Sequence, residues 1–263
     1  MTQTVLITGA SSGLGFAFAK LYSKLHYRLI LVARNGEKLN KMKELLNTEV
    51  EIFACDLAQE NEVLTLCNHL IEQNDIPDIL INNAGIGGIY EFDEASFAEE
   101  KQMIDLNITA VVCLCNHFAP YMKKKQNDTY ILNIASAAAF VPGAYQANYY
   151  ATKAYILSYS QAIAAECKNT SLSVTCFCPG RISSNFHETA GTKYEHKSMS
   201  AQIAAQYAHN AMMKKQIVKI SPLKMFFMAG ILPRILPSSW VSIYTKDKNN
   251  QLLKIKYDQQ KNS

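Results

Sequence analysis

Short apolar segments alternate with segments of helical length along most of the chain, and this alternation constrains the fold more than any other feature. Seven apolar segments are four to six residues long and bounded by polar turns, as in parallel strands buried on both faces. The predicted strands are residues 5–8, 28–33, 51–54, 79–82, 130–135, 173–178 and 216–220. The predicted helices are residues 14–25, 37–46, 59–73, 109–124, 149–168 and 201–215. We therefore predict an α/β fold with a doubly wound, seven-stranded parallel sheet, in which ligands bind beyond the carboxyl ends of the strands.

The length and composition predict one domain with a distinct C-terminal extension. The 263 residues, 49% of them hydrophobic, can bury one large core, which we assign to residues 1–221. Residues 222–263 form an apolar and basic extension. Residues 214–263 carry ten Lys or Arg against two Asp, whereas the first 213 residues carry sixteen against twenty acidic residues. No basic cluster lies on a nucleic-acid-binding motif, so we predict no nucleic-acid partner.

The start of the chain and its cysteines indicate the compartment. The first residues run directly into an apolar strand without the pattern of a signal peptide, so we expect a cytoplasmic protein. The seven cysteines are an odd number and are not spaced as a disulfide framework. A zinc site formed by Cys113 and Cys115 with Cys176 and Cys178 would have unusual spacing, so we predict reduced thiols and no metal.

A glycine-rich turn follows the first predicted strand and leads into a helix. Its spacing is GxxxGxG, and the free amides of such a helix start can bind a pyrophosphate. The glycines allow the tight turn, the approach of phosphates and close packing of helix on strand. The predicted cofactor contacts in this Rossmann-like turn are Gly9, Ser11, Ser12, Gly13, Leu14 and Gly15.

Arg34 follows the second predicted strand, where dinucleotide folds select between cofactors. A carboxylate there would bind the ribose hydroxyls of NAD, whereas a guanidinium can pair with the additional phosphate of NADP. We therefore predict NADPH or NADP+ rather than NADH. An exposed loop arginine without this role is the alternative.

Tyr149 and Lys153 are four residues apart at the start of a predicted helix and so lie on one face. A free tyrosine titrates near 10, and a cation about 4 Å away at an effective dielectric of about 20 is worth roughly 4 kcal/mol, or about three pKa units. This spacing therefore predicts a tyrosine acid or base with a lowered pKa. The motif alone is common on solvated helix faces, so its context decides.

Polar residues stand after several other predicted strands or ahead of a helix: Ser136, Asn107 and the run Asn82-Asn83-Ala84-Gly85. With the TGxxxGxG turn and the Tyr149/Lys153 pair, these motifs resemble the short-chain dehydrogenase/reductase family from about Thr4 to Phe186. The match includes the family's Asn, Ser, Tyr, Lys tetrad in order. The resemblance implies hydride transfer between a nicotinamide and a carbonyl or alcohol.

The resemblance also implies residue roles. Tyr149 would be the acid or base, and Ser136 would hold the substrate oxygen. Lys153 would lower the pKa of Tyr149 and bind the nicotinamide ribose, while Asn107 would anchor a water that relays protons. Further cofactor contacts implied by the resemblance are Asp56, Leu57, Asn83, Ala84, Gly85, Pro179, Gly180, Ile182 and Ser184.

The substrate is less constrained by the sequence. Residues 185–200 have the character of a polar lid, and Phe140, Val141, Tyr145 and Phe186 would line an apolar pocket. We expect a small apolar ketone or secondary alcohol as the substrate. The alternative is a catalytically silent NADP-binding regulator or scaffold with the same fold.

The extension allows more than one partner. Residues 222–244 are too interrupted by charge and proline to span a membrane, but Trp240 and Tyr244 among basic residues could dock peripherally on an anionic inner membrane surface. The tail loosely resembles the branch of the family with steroid dehydrogenases and long-chain ketoacyl reductases. Packing over the substrate cleft or on another subunit is the other interpretation. The resemblance further implies a homodimer or homotetramer built on the helices at 109–124 and 149–168.

Overall fold

The computed structural model describes residues 2–183, 198–222 and 236–261. The strands are β1 (Thr4–Thr8), β2 (Arg28–Ala33), β3 (Val50–Ala54), β4 (Ile79–Asn82), β5 (Thr129–Ile134), β6 (Leu172–Pro179), β7 (Ile182–Ser183), β8 (Met199–Ser200) and β9 (Val218–Ser221). The helices are α1 (Gly13–Lys24), α2 (Gly36–Lys43), α3 (Glu60–Glu72), α4 (Phe97–Ile104), α5 (Ala110–Met122), α6 (Ala147–Glu166), α7 (Ala201–Met213) and α8 (Ser238–Lys261). A π-helical turn at Asp105–Thr109 joins α4 to α5, and a 3-10 turn at Ala137–Phe140 follows β5.

Seven strands form one parallel sheet in the order β3-β2-β1-β4-β5-β6-β9, which confirms the predicted doubly wound topology. The two short strands β7 and β8 pair separately. Strand β1 lies between β2 and β4, so the strand order reverses on either side of it. Ligands of such sheets bind in the crevice at this reversal, beyond the carboxyl ends of the strands.

Apolar side chains bury both faces of the sheet, as the continuous hydrophobic runs predict. One cluster on one face joins Leu6, Leu80 and Ile131 to α3 and α5, and the other joins Val5, Ile81 and α1 to α7. Every residue of β1 is buried. This rigid double layer fixes the positions of the strand ends, where the candidate site lies.

The helical run Phe97–Met122 is, among the described residues, long and apolar enough by composition to cross a membrane. Leu114, Phe118 and Met122 of this run are almost completely buried in the core cluster. The second half of the run therefore packs in the core of the domain.

Helix α8 lies in the extension, to which the sequence analysis assigned no helix. Its residues Val241, Thr245, Leu252 and Leu253 are buried, and they recur on one helical face. Leu252 and Leu253 pack with Ile89 in a small cluster beside the carboxyl end of the sheet. The described part of the extension thus packs on the domain, whereas residues 223–235 lie outside the described chain.

Candidate active site

A cleft of about 1620 Å³ opens at the carboxyl ends of the strands. This is larger than the roughly 300–1,000 Å³ of a typical small-molecule pocket and offers room for a dinucleotide together with a substrate. Most of the predicted site residues line it: Gly9, Ser11, Ser12, Gly13, Leu14, Arg34, Asp56, Leu57, Asn83, Ala84, Gly85, Ser136, Tyr149, Lys153, Pro179, Gly180 and Ile182. Gly15 and Asn107 stand behind this wall, and Ser184 falls outside the described residues, as do Phe186 and most of the predicted lid.

The glycine-rich turn has the conformation that its sequence predicts. Gly9 and Gly13 have φ angles of +64° and +53°, the left-handed region that favours glycine. A Cβ on Gly15 would lie 2.2 Å from the carbonyl oxygen of Gly9, so only glycine allows this close packing. Ser12 precedes α1, but its side chain makes no capping hydrogen bond to the helix. The Ser12 hydroxyl therefore does not occupy the backbone amides of the first turn. The turn therefore fits the pyrophosphate of a dinucleotide.

Thr8 joins the ends of β1 and β4 and positions two residues that line the cleft, a role that the sequence reasoning missed. Its hydroxyl accepts hydrogen bonds from the amides of Asn83 at 2.9 Å and Ala84 at 3.0 Å. The Asn83 side chain donates to the Thr8 carbonyl at 2.9 Å. Thr8 therefore holds the backbone of Asn83 and Ala84 in the wall of the cleft that would face the cofactor. Its place in the TGxxxGxG motif is the signal that could have identified Thr8.

Two basic side chains, Arg34 and Lys38, line the end of the cleft beyond β2. Arg34 is exposed, and Lys38 lies one helical turn further along. Asn35 precedes α2 as its N-cap, and its side chain accepts a hydrogen bond from the Lys38 amide at 2.8 Å. Lys38 was not predicted, and Arg34 lies before the first residue of α2, so helical spacing does not relate the two side chains. A guanidinium and an ammonium can each bind a phosphate group.

Tyr149 and Lys153 lie on the first turns of α6, with the Lys153 ammonium 5.8 Å from the centre of the Tyr149 ring. Lys153 is only 5% exposed, and its Nζ donates to the Ile134 carbonyl at 3.0 Å. Ser136 follows β5 and shares a hydrogen bond with the Tyr149 phenol. Three of the four predicted catalytic side chains therefore meet at one point of the cleft.

The titration of this group differs from the sequence expectation. Burial raises the pKa of Tyr149 to about 12, against an opposing effect of the Ser136 hydrogen bond. Burial also lowers the pKa of Lys153 to about 8. The Lys153 ammonium donates to the Ile134 carbonyl and lies 5.8 Å from the centre of the Tyr149 ring. Tyr149 is therefore protonated at neutral pH, which is the form that a proton donor requires.

Asn107 lies in the π-helical turn and is 1% exposed. Its Oδ1 accepts from the Ile86 amide at 2.9 Å, and its Nδ2 donates to the Ile86 carbonyl at 2.9 Å and to Thr152 at 3.1 Å. A Cβ on Gly85 would lie 3.0 Å from Asn107 Oδ1 and 3.4 Å from Lys153 Nζ. Asn107 thus ties the loop after β4 to α6 beside Lys153. Its role in a water relay stays a prediction.

The substrate end of the cleft is lined by residues that the sequence reasoning identified only in part. Val141 lines it as predicted, whereas Phe140 packs against the core and Tyr145 against the cluster of Ile89, Leu252 and Leu253. Much of the remaining wall comes from α8 and the residues before it. These lining residues are Leu236, Trp240, Val241, Tyr244, Thr245, Lys248, Asn249, Leu252 and Lys256.

The cysteines within the described chain are all free thiols. Cys176 and Cys178 lie 3.8 Å apart between their sulfurs inside the sheet, whereas Cys115 contacts Asn82. The group of described side chains that could hold a metal is instead Cys67, Cys113 and His117, whose ligand atoms lie within 4.8 Å of one another. This group belongs to α3 and α5, outside the cleft lining.

Comparisons with known proteins agree with this geometry. A family model described as short chain dehydrogenase matches residues 3–195. An uncharacterized oxidoreductase of Staphylococcus epidermidis is 30% identical over 220 residues, covering 83% of this chain and 94% of the relative. A short-chain dehydrogenase from Sphingobium yanoikuyae, solved with NADPH, has a TM-score of 0.80 at 28% identity, covering 88% of this chain and 92% of that one. A bulky-bulky ketone specific alcohol dehydrogenase from Comamonas testosteroni has a TM-score of 0.74 at 26% identity, covering 89% and 99%.

Proposed function

The chain belongs to the short-chain dehydrogenase/reductase family and is an oxidoreductase, and we propose that it reduces apolar ketones with NADPH. Tyr149 would be the proton donor. The observation that carries the proposal is the meeting of Tyr149, Lys153 and Ser136 at the carboxyl end of the sheet, in the same cleft as the glycine-rich turn. The reverse oxidation of a secondary alcohol would use the same groups.

The residues of the site have separate tasks in this reaction. When bound, the nicotinamide would supply the hydride to the carbonyl carbon. Ser136 would hydrogen-bond the carbonyl oxygen, and Tyr149 would transfer its phenolic proton to that oxygen as negative charge develops there. The positive charge of Lys153 would stabilise the phenolate that remains on Tyr149. In alcohol oxidation the phenolate would take the proton back.

The preference for NADPH is supported by Arg34 and Lys38 together at one end of the cleft. A guanidinium and an ammonium can both pair with a ribose phosphate, whereas NADH offers them no anion at this point. The relative from Sphingobium yanoikuyae, solved with NADPH, is consistent with this preference.

We expect Arg34→Asp to weaken NADPH binding at least about tenfold and to narrow or reverse the preference over NADH, because a carboxylate repels the phosphate and accepts ribose hydroxyls. Fluorescence titration of both cofactors measures the two Kd values. Lys41→Gln is the matched control, since Lys41 is exposed on α2 and does not line the cleft. An unchanged ratio of Kd values in Arg34→Asp would show that Arg34 does not select the cofactor.

An apolar ketone is supported by the side chains of the substrate end. Val141, Leu236, Trp240 and Tyr244 give this end an apolar and aromatic wall. The similarity to an alcohol dehydrogenase whose description names bulky-bulky ketones points to the same class of substrate.

Steady-state loss of NADPH absorbance across a panel of aliphatic and aromatic ketones tests the proposal. We expect turnover of several panel members and the reverse reaction with NADP+ and the matching alcohols. Tight NADPH binding without turnover of any ketone would contradict it and favour a cofactor-binding regulator.

A further inference from the structure

Three side chains that can bind a metal meet where α3 packs on α5: Cys67 on α3, and Cys113 and His117 on α5. Their ligand atoms all lie within 4.8 Å of one another. The residues that line the cleft do not include these three. The group is therefore separate from the candidate active site, and the proposed reduction gives it no task.

Cys113 and His117 are four residues apart on α5, so their side chains leave the same face of the helix. The distance from Cys113 Sγ to His117 Nδ1 is 3.6 Å. In a tetrahedral zinc site, a Zn–S bond of about 2.3 Å and a Zn–N bond of about 2.0–2.1 Å place the sulfur and the nitrogen about 3.6 Å apart. These two side chains therefore already have the spacing of two zinc ligands.

His117 has a competing partner, because its Nδ1 also lies 2.8 Å from the Cys113 carbonyl oxygen. Without a metal, Nδ1 donates its proton to that oxygen. With a metal, the ring proton would lie on Nε2, and the lone pair of Nδ1 would face the ion. The carbonyl lies inside α5, where a backbone amide of the helix also pairs with it. The change of tautomer therefore removes one side-chain hydrogen bond and leaves the carbonyl paired.

Cys67 supplies the third ligand from the neighbouring helix. Its side chain is fully buried in a core cluster, and Cys113 packs against the same cluster. Two sulfurs of a tetrahedral zinc site are about 3.8 Å apart, so a sulfur within 4.8 Å of both other ligand atoms needs to move by no more than about 1 Å. Burial raises the pKa of both thiols, so a metal would displace their two protons to solvent.

A second cavity, of about 620 Å³, reaches one member of the group. Cys113 lines this cavity, as do Glu60 and Asn61 at the start of α3, which are exposed. The cavity gives an ion a path from solvent. Water in the cavity can occupy a fourth position beside three protein ligands, as in other zinc sites with an open position.

We propose that Cys67, Cys113 and His117 bind Zn²⁺, with water as the fourth ligand, and that the ion joins α3 to α5. Thiolate and imidazole are ligands that zinc prefers, whereas magnesium and calcium take oxygen ligands. The sequence analysis combined Cys113 with other cysteines and predicted no metal, because only the fold brings Cys67 to this helix. The inference goes beyond the proposed ketone reduction and is independent of it.

Metal titration of the full chain tests the site, with the cysteines kept reduced by a phosphine rather than by a thiol reagent, which would itself bind zinc. Co²⁺ is the spectroscopic probe. We expect one Co²⁺ per chain, with an ultraviolet sulfur-to-cobalt charge-transfer band and the intense visible bands of a tetrahedral site. Zn²⁺ should displace Co²⁺, with a Kd of about 1 µM or tighter in competition with a chelating dye.

Two variants that each remove one ligand assign the metal to this group. Cys113→Ser and His117→Gln change half-buried positions, and circular dichroism checks that each variant folds. The Kd for Zn²⁺ should rise at least about tenfold in each, and the charge-transfer band should weaken in Cys113→Ser. His69→Gln and Cys167→Ser are the matched controls, since His69 is exposed on α3, Cys167 follows α6 and neither belongs to the group.

Thermal unfolding tests whether the ion joins the two helices. Zn²⁺ at about 100 times its Kd should raise the wild-type Tm by at least about 4 °C, and His117→Gln should lose most of this rise. An unchanged wild-type Tm at saturating Zn²⁺ would contradict a link between α3 and α5.

Two binding results overturn the site. The first is a folded, fully reduced wild type that gives no sulfur-to-cobalt band. The second is a Kd for Zn²⁺ that is unchanged in both Cys113→Ser and His117→Gln, because the ion would then be bound elsewhere. None of these measurements needs turnover, so their outcome does not depend on whether any ketone is reduced.

Discussion

Tyr149 and Lys153 show how far single residues can be interpreted without their surroundings. The four-residue spacing predicts that both side chains lie on one face, and both line the same cleft. It does not predict that burial governs both titrations, raising the pKa of Tyr149 to about 12 and lowering that of Lys153 to about 8. Desolvation depends on the complete fold around a side chain, and the hydrogen bond from Lys153 to Ile134 joins residues of different elements. Neither could be derived from sequence spacing.

The lowered pKa of Lys153 makes stability depend on pH. The folded protein releases the Lys153 proton near pH 8, whereas the unfolded chain releases it near 10.5. Between these values the unfolded state binds more protons, so the free energy of unfolding contributed by this residue rises with pH. The energetic cost of the buried charge is fully present below about pH 8.

We therefore expect Lys153→Met to be more stable than wild type at pH 7, with an advantage that shrinks as pH rises from 8 to 10.5. The change over the whole range should be up to about 3 kcal/mol, at about 1.4 kcal/mol per pH unit. Urea unfolding of both proteins at several pH values measures the difference in their free energies of unfolding. The contributions of the other titrating groups cancel in this difference. A difference that is constant with pH would show that Lys153 titrates normally in the folded protein.

The elements around the cofactor end follow closely from their sequence. The glycine spacing after β1 predicts a turn that needs positive φ angles and close packing. The positive φ angles are present at Gly9 and Gly13, and the close packing is present at Gly15. The π-helical turn at Asn107 and the hydrogen-bond partners of Thr8 were not predictable in the same way. Their hydrogen bonds join residues that are 21 to 76 positions apart, so no local pattern encodes them.

Gly15→Ala tests the close packing in this turn. The new methyl group would lie 2.2 Å from the Gly9 carbonyl oxygen, so the backbone must shift. We expect the free energy of unfolding to fall by about 1–3 kcal/mol, as for other overpacked sites, and NADPH affinity to fall at least about tenfold. Urea unfolding and fluorescence titration measure the two effects.

Gly36→Ala is the matched control for this variant. Its new methyl group would meet only the Ala54 side chain, at 3.3 Å, and Gly36 does not line the cleft. We expect little change in either measurement. Equal losses in both variants would mean that the contact with Gly9 is not the cause.

The molecule consists of a domain whose fold is predictable from the sequence and an extension whose position is not. The alternation of strands and helices predicts a doubly wound parallel sheet and therefore the carboxyl edge at which the site lies. Helix α8 carries a recurring buried face at Val241, Thr245, Leu252 and Leu253, a signal that could have predicted a helix. Its docking surface is made of loops from distant parts of the chain, so the sequence left cleft, membrane and partner subunit as alternatives. Peripheral membrane contact through residues 222–244, a cytoplasmic location and a homodimer or homotetramer stay predictions.

A chain ending at Ser221 tests the contribution of α8. Loss of the buried Val241, Leu252 and Leu253 should lower Tm by at least ~5 °C, since about 1 kcal/mol corresponds to roughly 2–4 °C in a domain of this size. We expect KM for ketones to rise more than KM for NADPH, because α8 forms the wall of the substrate end. Thr245→Val, which removes one hydrogen bond to Pro142, should have a smaller effect in the same direction. Unchanged Tm and ketone KM in the shortened chain would show that α8 does not close the cleft.

The turnover of Tyr149→Phe at saturating NADPH tests proton donation by Tyr149 most directly. The change removes one hydroxyl, and general acid catalysis is typically worth about 10²–10⁴ in rate. We predict a fall in kcat for ketone reduction of that size, with a Kd for NADPH within about threefold of wild type. Tyr155→Phe, the same change at an exposed position of α6, should keep kcat within about twofold. A Tyr149→Phe protein that retains more than about a tenth of wild-type kcat would contradict the assignment of Tyr149 as the proton donor.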